Sequence, residues 1–476
     1  MKKYLVIFGA ALLVMALAAP AMAQFSSWGH MEIQTIWEQK PNFDTASLWA
    51  NGSVTAANTK DLNWRHVAER FRYYLAYGDP KTVRAVIGFE ADSKDWGENQ
   101  ATSFYGGGGI GRYTADTVAL EVKHAYLDFM IPNTPVEVIA GIQPWAYGGR
   151  LLINNDGAGV TVKANFAPHT ISAGWLRFSD ANRYSYGVTD GYILDWKMVQ
   201  KAFDVNVYGV FVNDRFEGQQ TSFVEPWAAS TIGVTNPFDQ KLYYLGASAG
   251  FRPGNWTFFV HGLYVMGTRS FDNSAIDDTD IKAWAAEAMA RYQIGPGMAA
   301  LVELFYATGQ DSDDTGTQNY FPVARASEAR SIFGNDRTVF FWMNAAQMGY
   351  YHNQQIDFSG VYYARAAFEY SPTPWMRMIF NYLYLGDSSE GTPGTFTPKF
   401  SGTPTTKIVN SPKGARQDVD EDYIGQEINL ITTFNIYKNF VYNIGLYYFV
   451  AGDVFDSATQ NAKDSYGINT KLQYAF

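Results

Sequence analysis

The feature that most constrains this chain is a period-two alternation of apolar and polar residues, repeated in short segments along its length. In Ala68 to Tyr77, Phe71, Tyr73, Leu75 and Tyr77 share one face, and Arg70, Arg72, Tyr74 and Ala76 the other. After the turn Gly78-Asp79-Pro80-Lys81, Val83, Ala85, Ile87 and Phe89 oppose Arg84, Gly88, Glu90 and Asp92. The pattern returns at Val136–Gln143, Val160–Phe166, Phe203–Val212, Tyr243–Phe251 and Met378–Tyr384. Such alternation in β-branched and aromatic residues specifies strands. Short connections rich in Pro, Asn and Gly alternate with long polar ones, such as Lys40–Asp61, Ser93–Asp116, Arg215–Gln240, Gly309–Ser359 and Gly386–Asp422. That rhythm predicts antiparallel neighbours with the long loops gathered at one end, as in transmembrane barrels.

The expected fold is therefore an all-β transmembrane antiparallel barrel of eighteen strands, from Trp28–Gln39 to Ser465–Phe476. Sixteen is the runner-up, because Ile193–Val199 and Lys282–Tyr292 are weakly patterned. The loop Gly309–Ser359 has room for another hairpin around Val339–Met343. No linker interrupts the pattern, so residues 24–476 read as one domain.

A soluble sandwich alternates too, and composition alone would favour it. The polar second face with the loop asymmetry, and the final strand Ser465–Phe476 with Tyr466, Ile468, Leu472, Tyr474 and Phe476 on one face, point to the membrane barrel instead. Charged residues are only 17% of the chain and aromatics reach 16%. Trp28, Trp37, Tyr77, Trp175, Trp196, Trp256, Trp284, Tyr306 and Tyr384 stand near strand ends, where interfacial girdles place amphipathic rings. The absence of cysteine excludes disulfide scaffolds and thiolate metal sites. A net charge of −10 argues against nucleic acid as a partner. Met1-Lys2-Lys3, the apolar run Tyr4–Ala19 and Pro20-Ala21-Met22-Ala23 form a secretory signal peptide, residues 1–23, cleaved after Ala23. No later stretch is long and apolar enough for a spanning helix. The expected location is the outer membrane of a bacterium.

Function is expected on the inward face. Arg70, Arg72 and Arg84 lie there on two adjacent strands, with Glu90, Asp128 and Glu137 on the same face of strands three, four and five. Charged rings in a narrow aqueous pore tune ion preference, and an arginine on the lipid side would cost about 2–4 kcal/mol at the midplane. The fourth strand is irregular: if Ala125, Leu127 and Phe129 look outward, so do Glu121 and Lys123, and either those two sit above the hydrocarbon band or a bulge shifts the phase. Among the six histidines, His30, His66 and His124 fall on the inward face, but no G-x-S-x-G or H-E-x-x-H motif accompanies them, and no enzymatic role is expected. Asp311–Gly316 imitates the start of a calcium loop, yet Pro322 occupies the twelfth position, so neither metal nor cofactor is expected. Asp418, Asp420, Glu421 and Asp422 read as an acidic surface loop. Ala286, Ala288 and Ala290 form a smooth outward stripe.

With its cationic signal peptide, alternating strands and terminal Tyr474-Ala475-Phe476, the chain resembles bacterial outer-membrane general porins. Lys123-His124-Ala125-Tyr126-Leu127-Asp128-Phe129 and Gly141-Ile142-Gln143-Pro144-Trp145 are similar to homotrimeric porins of sulfate-reducing bacteria. The resemblance implies a trimeric channel in outer-membrane lipid, passing small hydrophilic solutes and ions by passive diffusion. It implies that the barrel-assembly machinery reads Tyr474 and Phe476, and that a basic ladder faces acidic residues across the constriction. It also implies a third outer loop folded inward, here Pro144–Gly159 with Arg150, Asn154, Asn155 and Asp156, although this stretch is short for the task. The rival is Gly309–Ser359, whose Phe340, Phe341, Trp342, Met343, Met348, Tyr350 and Tyr351 must pack on something. The alternative function is a substrate-selective channel for sugars or small organic anions, since Tyr74, Tyr126 and Tyr208 face inward.

Overall fold

The computed structural model describes residues 25–39, 63–96, 120–149, 151–180, 188–216, 238–272, 274, 277–310, 316–322, 336–339, 360–389, 421–456 and 461–476. Eighteen strands form its barrel. The first six are β1 (Phe25–Gln39), β2 (Asn63–Asp79), β3 (Val83–Asp95), β4 (Glu121–Met130), β5 (Val136–Tyr147) and β6 (Ile153–Phe166). Next come β7 (His169–Asp180), β8 (Val188–Val199), β9 (Phe203–Phe216), β10 (Phe238–Phe251), β11 (Trp256–Phe271) and β12 (Thr279–Gly295). The last are β13 (Met298–Ala307), β14 (Val361–Thr373), β15 (Met376–Asp387), β16 (Tyr423–Tyr437), β17 (Phe440–Ala451) and β18 (Ser465–Ala475).

Each strand pairs antiparallel with the next, and β18 returns to β1 from His30↔Ala475 to Gln39↔Tyr466. Phe476 and Gly29 exchange backbone hydrogen bonds of 3.0 and 2.9 Å beyond the last paired residue. Closure leaves no edge with unsatisfied backbone groups, which hydrocarbon would penalise by several kcal/mol each. The count settles at eighteen: the weakly patterned stretches are β8 and β12. A two-residue strand, Thr317–Gln318, adds a parallel pairing to Asp280–Ile281 from inside the long β13–β14 connection. Within the hairpin expected around Val339–Met343, Phe340–Met343 lie outside the described residues.

The outward face is apolar between two aromatic rows. On β10, Tyr243, Leu245 and Phe251 are about half exposed while Leu242 and Tyr244 are buried. Eight residues at ~3.4 Å each, tilted by roughly 40°, span about 21 Å, close to the ~25 Å apolar band of outer-membrane barrels. Trp175, Tyr192, Tyr243, Trp284 and Tyr306 are exposed toward the long-loop end, and Phe166, Phe251, Trp256, Tyr292 and Trp375 toward the short-turn end. Ala286, Ala288 and Ala290 do face outward on β12, between buried or half-buried Ala285 and Glu287 and the exposed Tyr292.

The fourth strand resolves as a bulge. Gly88 pairs with His124 and Phe89 with Val122, so Lys123 is the extra residue. The bulge keeps Glu121 exposed and turns Lys123 inward beside His124. Alternation alone misplaces Lys123 because an inserted residue reverses the phase of everything beyond it.

Candidate functional site

Strands β2 to β6 carry a wall of inward charges joined by contact. Antiparallel register sets Arg72 opposite Glu90 and Arg84 opposite Asp128. Arg72 Nε donates to Glu90 Oε1 at 2.9 Å, and Arg70 Nε stands 3.0 Å from the same oxygen. Lys123 Nζ lies 2.7 Å from Glu90 Oε2 and 2.6 Å from Asp156 Oδ2. Arg84 Nη2 lies 2.7 Å from Asp128, and Lys163 lies 3.2 Å from Glu137. The expectation of a basic ladder facing acids across the lumen is therefore corrected: these acids and bases neutralise one another along one wall. The register causes this, because it makes opposite charges direct cross-strand neighbours.

The same wall is unevenly wet. Arg70 and Glu90 are only 5% and 3% exposed, whereas the side chain of Arg84, near a short turn, is 30% exposed and that of Lys163 40%. Arg377 and Arg291, which share Glu369 on the far side, are also accessible near short turns. Water thus reaches the charges best in the turn-side half.

The other half is narrowed by chain folded into the barrel. Pairing of β4 with β5 stops at Ala125↔Ile142, and pairing of β6 with β7 at Ala158↔Arg177. Beyond those points β5 and β6 pair only with each other, up to Tyr147↔Ile153, and the hairpin leaves the wall. Its bend needs Gly141, whose φ is +132°; a Cβ there would strike the Ala125 carbonyl and lie 2.7 Å from Tyr126 Cα. One face of the hairpin is tied to the charged wall by Asp156, whose Oδ1 is 2.7 Å from His124 Nε2. The tip meets luminal side chains of β9 and β11: a Cβ on Gly148 would be 3.0 Å from the Tyr208 hydroxyl, and one on Gly149 3.3 Å from His261 Cε1. Tyr208 and His261 are themselves joined at 2.8 Å. Pro144–Gly159 is thus a strand hairpin rather than a loop, with its turn near 148–152, and despite its shortness it reaches inward. Asn154, Asn155 and Asp156 are strand residues, and Arg150 lies outside the described residues.

The long β13–β14 connection also enters. Tyr244 donates to the Pro322 carbonyl at 3.1 Å, and Arg269 Nη2 donates to Gln318 at 3.3 Å. Residues 336–339 are held by five strands. Arg337 Nη2 stands 2.8 Å from Glu287 and 2.6 Å from Glu303, and Arg365 donates to the other Glu303 oxygen at 2.8 Å. Arg365 and Asn381 donate to the Asp336 carbonyl, Asn429 donates to the Arg337 carbonyl, and Val339 N–H donates to Glu427 at 2.7 Å. Thr338 donates to Glu427 as well. Burial works against the Arg337 charge, but the Glu303 and Glu287 carboxylates beside it outweigh that cost and keep the guanidinium charged. Phe340, Phe341, Trp342, Met343, Met348, Tyr350 and Tyr351 of this connection lie outside the described residues, as do Asp311 and Asp418.

In the loop-side half, inward Tyr208, Leu242 and Phe305 of the wall join Trp145, Leu152 and Phe321 of the inserted chain in one buried apolar cluster. Side chains that pack on inserted chain need apolar contact rather than water. Tyr74, Tyr126 and Tyr208 do point inward, and Tyr74 and Tyr208 are buried. Sequence reasoning missed Glu287, Glu303, Arg337, Arg365 and Glu427. The four strand residues stand on inward positions and were readable as such, whereas nothing in Asp336–Val339 marks it as a docked segment.

No family model and no curated protein matches this chain. Solved structures do. OccD3 (OpdP) of Pseudomonas aeruginosa is 11% identical with a TM-score of 0.52, over 96% of this chain and 93% of that one. OccAB1 of Acinetobacter baumannii is 11% identical with a TM-score of 0.51, over 94% and 96%. OprD of Pseudomonas aeruginosa is 11% identical with a TM-score of 0.50, over 95% of each. At such identity the likeness is one of architecture: this chain has the closed eighteen-stranded barrel fold of outer-membrane porins.

Proposed function

We propose that this protein is an outer-membrane porin that passes small hydrophilic solutes and ions by passive diffusion. The observation that carries the reading is a closed barrel with an apolar band outside and an ion-paired, partly wet wall inside. The path runs along the charged wall of β2–β6, and its narrowest part lies where the β5–β6 hairpin and residues 316–322 and 336–339 enter. Arg70, Arg72, Glu90 and Asp156 shape that wall, and Arg84, Asp128 and Glu137 belong to its wetter half.

In this reading residues 1–23 are an export signal and residues 24–476 form the single barrel domain. Tyr474 and Phe476, outward on the closing strand, serve as the signal for the barrel-assembly machinery, and the barrel works as a homotrimer. The finer likeness to porins of sulfate-reducing bacteria belongs to the same proposal. Its two motifs supply the Lys123 bulge and the Gly141 bend, the features that shape the constriction.

A substrate-selective channel for sugars or small organic anions is the second reading. It is favoured by the burial of inward Tyr208, Leu242 and Phe305, which leaves a reduced cross-section in the loop-side half. Purified protein in planar bilayers is expected to give stepwise currents, and their absence would count against a channel of either kind. Saturation of flux with one solute class, competed by its analogues, separates the selective reading from the general one.

The accessible cations set an expected ion preference. Arg84→Gln combined with Arg377→Gln is expected to shift the reversal potential in a salt gradient toward cations. Glutamine keeps a donor for Asp128 and Glu369, so assembly is expected to survive. An unchanged potential would remove both residues from the ion path.

A further inference from the structure

The β5–β6 hairpin is held differently on its two faces. Pro144 pairs with Asp156 and Trp145 with Asn155, so Asp156 and Trp145 project from opposite sides of the ribbon. Asp156 reaches the charged wall at Lys123 and His124. Trp145 turns the other way, over β6 and β7, and is 2% exposed. Its indole N–H donates to the Gly157 carbonyl at 2.9 Å.

The wall is cut away where this ring lands. A Cβ on Gly159 would stand 2.7 Å from Trp145 Cζ2, and one on Gly174 2.9 Å from Trp145 Cζ3. Carbon atoms pack at about 3.5–4.0 Å, so a side chain at either position would displace the ring. Leu176 and Ile193, the cross-strand neighbours of Gly159 and Gly174, are buried in the same cluster as the indole and close the sides of the seat. The hairpin therefore has a tie on one face and a prop on the other. Its ion pairs draw it toward the charged wall, and the indole fills the space behind it.

We propose that Trp145 is the positioning residue of the constriction. Seated on Gly159 and Gly174, its ring sets how far the hairpin stands from the β6–β7 wall, and so the width left along the charged wall. The inference rests on the channel reading and deepens it by naming the side chain that fixes the size limit. Bulk added under the ring pushes the hairpin toward the charged wall and narrows the path. Loss of the ring lets the hairpin retreat and widens it. Both changes damage packing, so a role in stability alone gives them the same sign.

Single-channel conductance of the full barrel in planar bilayers tests this, together with the largest polyethylene glycol that enters and lowers the current. Trp145→Ala is expected to raise the conductance and to admit larger polymers. Gly174→Ala is expected to lower the conductance, and Gly174→Val to lower it further. The added methyl at Gly174 meets only the Trp145 ring closely, since Ile193 lies 3.5 Å away or more. Gly159 is a poorer probe, because a Cβ there also strikes the Trp175 carbonyl. Trp145→Phe keeps a smaller ring without the indole N–H and is expected to fall between wild type and Trp145→Ala. In the double variant Trp145→Ala/Gly174→Ala the methyl enters vacated space, so the conductance is expected to match Trp145→Ala alone, a non-additivity that marks direct contact. Conductance that moves the same way in both single variants, or in neither, overturns the inference, as do additive effects. Absence of stepwise currents in the wild type overturns the channel reading itself, and this inference with it.

Discussion

Replacing Arg337 with alanine is expected to raise the single-channel conductance and to add open-channel noise. Arg337 is the only side chain through which residues 336–339 reach Glu287 and Glu303 among the described contacts. Removing one partner of a buried ion pair costs about 3–5 kcal/mol, because the carboxylates remain without their counter-charge. Three kcal/mol changes a docked-to-undocked ratio roughly a hundredfold. The backbone contacts to Asn429 and Glu427 persist in the variant, so the segment is expected to loosen rather than leave permanently. Arg337→Lys keeps the charge but loses the fork that spans two carboxylates, and an intermediate conductance is expected. Identical conductance in wild type and Arg337→Ala would show that this segment lies outside the path.

Glu90→Gln is expected to be the most destabilising single change on the charged wall. Glu90 is buried and receives Arg70, Arg72 and Lys123. Its neutralisation removes the carboxylate that these three cations share, with a cost of about 3–5 kcal/mol. The urea midpoint for unfolding in detergent is the measure, and it is expected to fall. Glu137→Gln is the internal comparison, since its partner Lys163 is well exposed and such pairs are worth about 1 kcal/mol or less. Equal midpoints for the two variants would mean that water screens Glu90 as it does Glu137.

Much of the barrel was legible in the sequence because a lipid-facing sheet imposes one rule on every strand. Phe71, Tyr73, Leu75 and Tyr77 had to share a face, and Pro80, Pro132 and Pro253 had to stop strands at the same end. Even the weakly patterned β12 obeys the rule, with small outward alanines in place of bulky groups. The interior was less legible, since inward positions answer to whatever fills the lumen. Leu242, Tyr244 and Phe305 are apolar because chain is packed against them, and that contact joins residues far apart in sequence. The bulge at Lys123 and the bend at Gly141 are single-residue departures from alternation. Each was marked in the sequence only as an irregularity, by two charges on a greasy face and by a glycine before Ile142-Gln143-Pro144.

The chain contains no cysteine, so single cysteines report their surroundings without background. The most direct measurement is reactivity along β3 with a membrane-impermeant maleimide, in barrels reconstituted into lipid. Cysteine replacing Arg84 is expected to react readily, cysteine replacing Ala85 or Ile87 to stay unmodified and shielded by acyl chains, and cysteine replacing Glu90 to react slowly. Fast labelling at 85 and 87 with protection at 84 would invert the barrel's two faces and contradict the account.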